Sequence, residues 1–415
     1  MSTKKWLGGA PAVAQVTTLT PGGTIEATDL FKVTIGSRTL SVAAGGTTVA
    51  GVCDAIVAAW GSAGPEFDEI TCTDSTTHVT LTAKTAGVPF VVTATTTEAN
   101  GDAADDQTFS AATTTANSGP NDWATASNWT SGTVPVNSDD VVIENTSQAI
   151  YYGLDQNAVS LTSLTIRASY LGYIGLPIWN ANGYSEYRER YLKIGATTID
   201  IGDGDGDGAY RLNLDPYTVQ TAVRVRKTRT TRYDTAVPPL LLKGTHASNT
   251  LTVDRGDVGV AIHGGETATV ATLKMTDAGT SATVWCGSGV TLTTITKQGG
   301  TLIIGSAATT ITQYAGTLRT EGSGAITTLT AESGQVDCRS TGTITTLTLG
   351  QGARYDLAQN PGAITVTTAV AYAGSEINDP RAVATWTNPI QLPRAHLGQV
   401  RMNLGTNKKY TVAAI

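Results

Sequence analysis

The sequence predicts a mainly β protein, in which a small N-terminal β-rich (α+β) domain precedes a right-handed parallel β-helix, a β-solenoid. Three observations predict it. A unit of Thr-Thr, an aliphatic residue, Thr, three variable positions and Gly recurs in the C-terminal half. It reads Thr293-Thr294-Ile295-Thr296 with Gly300 and Leu302, Thr309-Thr310-Ile311-Thr312 with Gly316 and Leu318, Thr327-Thr328-Leu329-Thr330 with Gly334 and Val336, and Thr345-Thr346-Leu347-Thr348 with Gly352. The aliphatic anchors Ile295, Ile311, Leu329 and Leu347 stand 16, 18 and 18 residues apart, the length of one coil in a stack that buries a strip of aliphatics. Charged residues make up 15 % of the chain, against roughly 25 % in ordinary soluble domains, so the polar surface must be Thr, Ser, Asn and backbone. Thr and β-branched aliphatics suit a pleated, half-buried strand, and Gly permits the positive φ that corners need.

Taken in order, residues 1–20 read as an extended N-terminal arm carrying Trp6, Gly8, Gly9 and Pro11. Trp6 is either a plug into the neighbouring domain or an anchor onto a partner. Residues 21–112 read as a compact β-rich domain. Phe31 to Ile35 alternates as a strand, Gly36-Ser37 turns the chain, and Arg38 to Val42 returns as its hairpin partner. Val49 to Trp60 is an amphipathic helix with Val49, Val52, Cys53, Ile56 and Trp60 at 3 and 4 spacing. Strands near Glu69 to Thr73, His78 to Ala83 and Pro89 to Thr95 complete its sheet. A linker covers residues 113–120.

The β-helix is assigned to residues 121–375. Its opening, with Trp123 and Trp129, Val134-Pro135, Asp139-Asp140 and Val141 to Ile143, looks like a cap, because an unsealed first coil would expose core aliphatics and strand edges. Less regular coils follow at Thr162 to Ile166, Thr197 to Ile201, Thr250 to Val253 with Gly256, and Ala271 to Leu273. An insertion near 177–190, rich in Tyr and charge, is expected to project as a contact surface. Residues 376–415, where the repeat fades into Pro380, Pro389 and Pro393, are assigned to a C-terminal cap.

Composition excludes some functions. A net charge of −7 and a pI near 5.2 argue against general nucleic-acid binding, which needs a basic field. No apolar run reaches the roughly 18 residues of a membrane span. Met1 to Leu7 carries two lysines without a long apolar stretch behind them, so no secretory signal is read and the expected place of synthesis is the cytoplasm. Cys53, Cys72, Cys286 and Cys338 form no metal-ligand spacing. They read as reduced, packed thiols, with a Cys53 to Cys72 bridge as the alternative.

The stretch from Asn121 to Ile143, NDWATASNWTSGTVPVNSDDVVI, resembles the entry motif of parallel β-helix passengers in bacterial surface and autotransporter-like proteins. The opening KKWLGGAPAVAQVTTLTPGGTIEATDLFKVTIGSRTLSV, with the hairpin and helix behind it, looks like the front of tailed-bacteriophage and prophage virion proteins. Together these similarities cover about residues 1 to 145. They imply a structural protein of a phage particle, leave its position on the particle open and supply no catalytic residues; the expected role is a non-enzymatic capsid decoration or fibre on the virion surface. The N-terminal domain would dock the chain onto other capsid or tail proteins. Rods of this kind often pack side by side, so a homotrimer is expected.

Three constellations bear on other functions. Asp203, Asp205 and Asp207 alternate with glycines like the front of a calcium loop, but position 12 is Leu214 where an EF-hand carries Glu. The alternatives are a calcium site and a solvated turn. A poorer ion candidate is Asn180, Asn182, Gly183 and Glu186. Arg224, Arg226, Lys227, Arg229 and Arg232 form a basic stripe that could pair with a partner subunit, grip an anionic glycan, or stand in solvent; without interleaved aromatics it does not read as a nucleic-acid site.

Catalysis is not expected. The regular coils offer only Glu321, Glu332 and Asp337, at unequal offsets from their anchors, and His78, His246, His263 and His396 are scattered. Two rival readings remain. One is a tail spike that binds or depolymerises host polysaccharide through Trp179, Tyr184, Tyr187 and Glu186. The other is a bacterial cell-surface adhesin.

Overall fold

The computed structural model describes residues 2–98, 106–229, 237–277, 282–393, 399–405 and 412–414. Strand accounts for 48 % and helix for 5 %, so the chain is mainly β. Its dominant feature is a long parallel sheet of more than 20 strands. Strands pair with the next but one in sequence, which sorts them into two ladders. Each coil gives one strand to each ladder, as in Val290–Lys297 and Thr301–Ile304, followed by Ala308–Gln313 and Thr317–Thr320. This arrangement is consistent with a β-solenoid.

Register explains why the repeat is spaced as it is. Val141, Leu164, Ile199, Val223, Leu251, Leu273, Ile295, Ile311, Leu329, Leu347 and Ala369 each pair with the next along the first ladder. All are buried. In the second ladder Leu212, Leu240, Val258, Val284, Leu302, Leu318, Val336, Tyr355 and Ile377 do the same. Each such aliphatic contributes about 1.5–3 kcal/mol on burial, and a slip of one residue would turn the whole set outward. The repeated glycines stand at the corner before the second strand, with φ of +77° at Gly316 and +83° at Gly334.

The cap is made of three tryptophans. Trp129 meets Trp123 edge to face at 4.6 Å and Trp6 at 5.2 Å, and all three are buried. The indole of Trp129 donates to Trp123 O at 2.9 Å, and Asn128 Nδ2 donates to Gly119 O and Asp122 O at 2.8 and 2.9 Å. Residues 1–20 are therefore not an extended arm. Thr3–Lys5 is a strand of the parallel sheet, paired with residues 140–142.

Between Trp6 and the cap the chain makes an antiparallel module. Its sheets are Ile70–Asp74, Val79–Ala83, Val16–Gly23 and Gln107–Thr115 in that order, and Arg38–Ala43, Leu30–Ile35 and Val92–Thr97. The helix Val49–Trp60 is capped by Thr48, which accepts from Gly51 N, and buries Val52, Cys53, Ile56 and Trp60. Strand Gln107–Thr115 runs into the stretch read as a linker at 113–120, because its threonines pair with Val16–Gly23.

Within the segment read as a C-terminal cap at 376–415, the described strands carry on the parallel pairing. Glu376–Asn378 pairs with Arg401–Asn403, and Ile390–Leu392 with Val412–Ala414. No helix among the described residues is long and apolar enough to cross a membrane. All four cysteines are free thiols.

Candidate functional site

The insertion at 177–190 does not stand out as a bare contact surface; it folds back onto the module. Arg188 is buried and binds both sides of that junction. It reaches Glu69 of the module, donates to Pro89 O at 2.7 Å, and pairs with Glu186 of its own loop at 3.0 Å. Asn182 Nδ2 donates to Glu69 Oε1 at 2.9 Å, and Asn180 Nδ2 to Glu186 Oε2 at 3.1 Å. Burial pushes the Glu69 carboxyl up, but the Tyr184 hydroxyl and Arg188 outweigh it and hold the group below its usual range. Tyr187 packs against the module's apolar core. Tyr184, Tyr187 and Glu186 thus hold the junction.

Trp179 itself is 65 % exposed. It sits where the insertion forms a short antiparallel bridge, Trp179 to Ser185, closed by Asn180 N donating to Tyr184 O at 2.8 Å. Beneath it lies a cleft of about 350 Å³, walled by Ile178, Trp179, Arg190, Tyr210, Asn213, Leu241 and His263. Register builds the floor, since Asn213 and Leu241 are neighbours on the outward rank of the second ladder and Gly259 follows them. At Gly259 the Leu241 and Ile262 side chains close in, and a Cβ there would lie 2.9 Å from Leu241 Cδ2.

Several polar atoms in this wall have no partner. Asn213 Nδ2 donates to Leu176 O and Arg190 O at 3.0 and 3.1 Å, but its Oδ1 is buried and unpaired. Arg190 Nε and His263 Nε2 are likewise buried without a partner. Burial lowers the His263 pKa; Glu266 opposes that and Arg190 adds to it. The shift favours the neutral imidazole. Aromatic rings extend the wall, with Tyr210 stacked on Tyr173 at 5.3 Å and the Arg229 guanidinium over Tyr210 at 3.7 Å. A ring face, a guanidinium, an amide oxygen and a neutral imidazole around one cleft can bind a polar ring compound.

The other sequence candidates fare differently. Trp6 is the plug, not an anchor for a partner: it is 2 % exposed and its indole donates to Gln148 O at 3.2 Å. The basic stripe is largely consumed within the fold. Arg224 pairs with Asp254 at 3.0 Å and Arg226 with Asp200 at 2.8 Å, both bridging successive coils. Lys227 donates to Gly206 O, and Arg229 to Gly208 O at 3.3 Å. Arg232 lies outside the described residues.

Those same contacts bear on the aspartate run. Asp203 faces Arg226 at 3.7 Å, Asp205 and Asp207 point into solvent, and two of the loop carbonyls accept from cations. Asp203, Asp205 and Asp207 do not converge on one point. Among the described residues the one trio of acidic side chains close enough to share an ion is Glu26, Asp29 and Glu98.

Asp337 stands in register with Asp356 one coil on and with Arg319 one coil before. Each carboxylate is held by an arginine, Arg339 at 2.8 Å and Arg354 at 2.9 Å. Comparison with protein-family models, with curated proteins and with solved structures returns no match.

Proposed function

We propose that this chain is a non-enzymatic structural protein of a tailed-phage particle, a capsid decoration or fibre. Its shaft is a closed, right-handed parallel β-helix and its subunits associate as homotrimers. The observation that carries the reading is the coil-on-coil register that runs from Asp140 to Asn403 through the described residues. About eleven coils at roughly 4.8 Å per step give a shaft of about 50 Å. Its surface is mostly hydroxyl, amide and backbone, so it acts as a spacer and contact area. The resemblance of the opening, Lys4 to Val42 with the hairpin and helix behind it, to virion proteins supports the placement on a particle.

Two measurements test the proposal. Light scattering on the purified chain is expected to give three times the 42.8 kDa chain mass, and labelled antibody is expected to decorate intact particles at a fixed position. A monomer that no particle binds would overturn it.

A second reading, a spike that grips host polysaccharide, is favoured by the Trp179 cleft. Exposed indoles stack on sugar rings, and the Arg190 guanidinium suits an acidic sugar. Titration with purified host-surface polysaccharide is expected to quench tryptophan fluorescence, and Trp179→Ala is expected to lose at least tenfold in affinity. Equal binding by the variant would remove this reading and leave the first intact.

A further inference from the structure

We propose that Glu26, Asp29 and Glu98 form a calcium site in the N-terminal module. Strand pairing brings them together. Leu30 pairs with Thr97 in an antiparallel ladder, so the next residues outward, Asp29 and Glu98, stand opposite each other. The turn before the strand adds the third group. Asp29 N donates to Glu26 O at 3.1 Å, and Glu26 N returns a hydrogen bond to Asp29 Oδ2 at 2.7 Å. One oxygen from each carboxylate lies within 4.8 Å of the other two.

Proximity of acids alone says little, since exposed carboxylates often cluster. Asp29 is different. It is fully buried, its backbone carbonyl is taken by Ala44 N at 2.8 Å, and its Oδ1 has no hydrogen-bond partner. Directly opposed like charges destabilise a strand pair, and a buried carboxylate without a counter-charge costs several kcal/mol. The ion pairs formed among the described residues include none to Asp29. The nearby Lys32 amine is held by Thr97 Oγ1 at 2.8 Å on the same sheet.

A cation resolves both difficulties. The donors are all hard oxygens, which suits calcium or magnesium and not a soft metal. Calcium holds oxygens at about 2.3–2.6 Å in irregular geometry and so spans roughly 4.6–5.2 Å between opposed ligands. That span accommodates the trio. The ion would tie the turn at Glu26 to the end of strand Val92–Thr97 and lock one corner of the module.

The test uses the full chain, stripped with chelator and titrated with calcium by calorimetry, with terbium luminescence as a second probe. One calcium per chain is expected, with Kd in the range of about 10⁻⁵–10⁻³ M, together with a rise in the module's melting temperature. Asp29→Asn is expected to weaken binding at least tenfold, and Asp205→Asn is expected to leave it unchanged. Should Asp29→Asn fail to fold, Glu98→Gln at the more exposed rim is expected to show the same loss. Absence of uptake at millimolar calcium, or wild-type affinity in Glu98→Gln, overturns the site.

Discussion

Lys297 shows how one residue can be out of character with its position and still have a purpose. It stands in an inward stack between Met275 and Gln313 and is fully buried. Its amine donates to Ala315 O, and Gln313 Nε2 reaches Ser333 O at 3.0 Å. Both side chains therefore satisfy corner carbonyls that an aliphatic would leave bare. Burial pushes the Lys297 pKa down from 10.5 to about 8. Between those values the unfolded chain binds a proton that the folded chain does not, so stability rises as pH climbs from 8 to 10.5. Below pH 8 the charged form is retained at its full cost. Lys297→Met is expected to be more stable at pH 7 by about 1 kcal/mol, the relief of charge being offset in part by the lost carbonyl contact. Urea unfolding across this pH range checks it, and the variant should lack the alkaline rise.

At the scale of the element, the corner glycines differ in what they tolerate. Both Gly334 and Gly352 have positive φ, +83° and +80°. A Cβ on Gly334 would lie 2.4 Å from Gly316 O in the coil below, whereas one on Gly352 would meet nothing within 4 Å. Gly352→Ala is expected to cost about 1–2 kcal/mol from backbone strain alone. Gly334→Ala should cost at least twice that, since the coils must part to admit it. Chemical denaturation of the two variants side by side measures the difference.

This contrast also marks what the sequence could show. A period is visible, so the Thr-aliphatic-Thr strands, the corner glycines and the helix at 49–60 could be placed from spacing alone. At Ala222–Val225 the alternation of Arg and Val gave the two faces of a strand but not the arginines' partners, because Asp200 and Asp254 lie on neighbouring coils. Strand Thr3–Lys5 has its partner 137 residues away, a distance at which no local pattern survives. The cleft under Trp179 and the acidic trio depend on the same long-range register, so neither leaves a motif.

For the whole molecule, the question is how firmly module and shaft move together. Arg188 is one tie, a buried cation between Glu69 on one side and Glu186 on the other. Arg188→Ala would leave two carboxylates facing each other without it. A loss of about 3–5 kcal/mol is expected, confined to the junction, so that calorimetry should show a module transition separating to lower temperature while the shaft melts as before. Melting in one unchanged step would mean the two parts are coupled mainly through the tryptophan cap.

Val13 and Ser118 meet in an antiparallel bridge, with Val13 N donating to Ser118 O at 2.8 Å. The polypeptide therefore leaves the parallel sheet and returns to it at neighbouring residues, and the module between them is an insertion that is tied down a second time through Glu69 to Arg188 and Asn182. A two-residue splice across that point would excise roughly a hundred residues without unthreading the first strand. The same doorway would accept a foreign fold whose own ends lie close together.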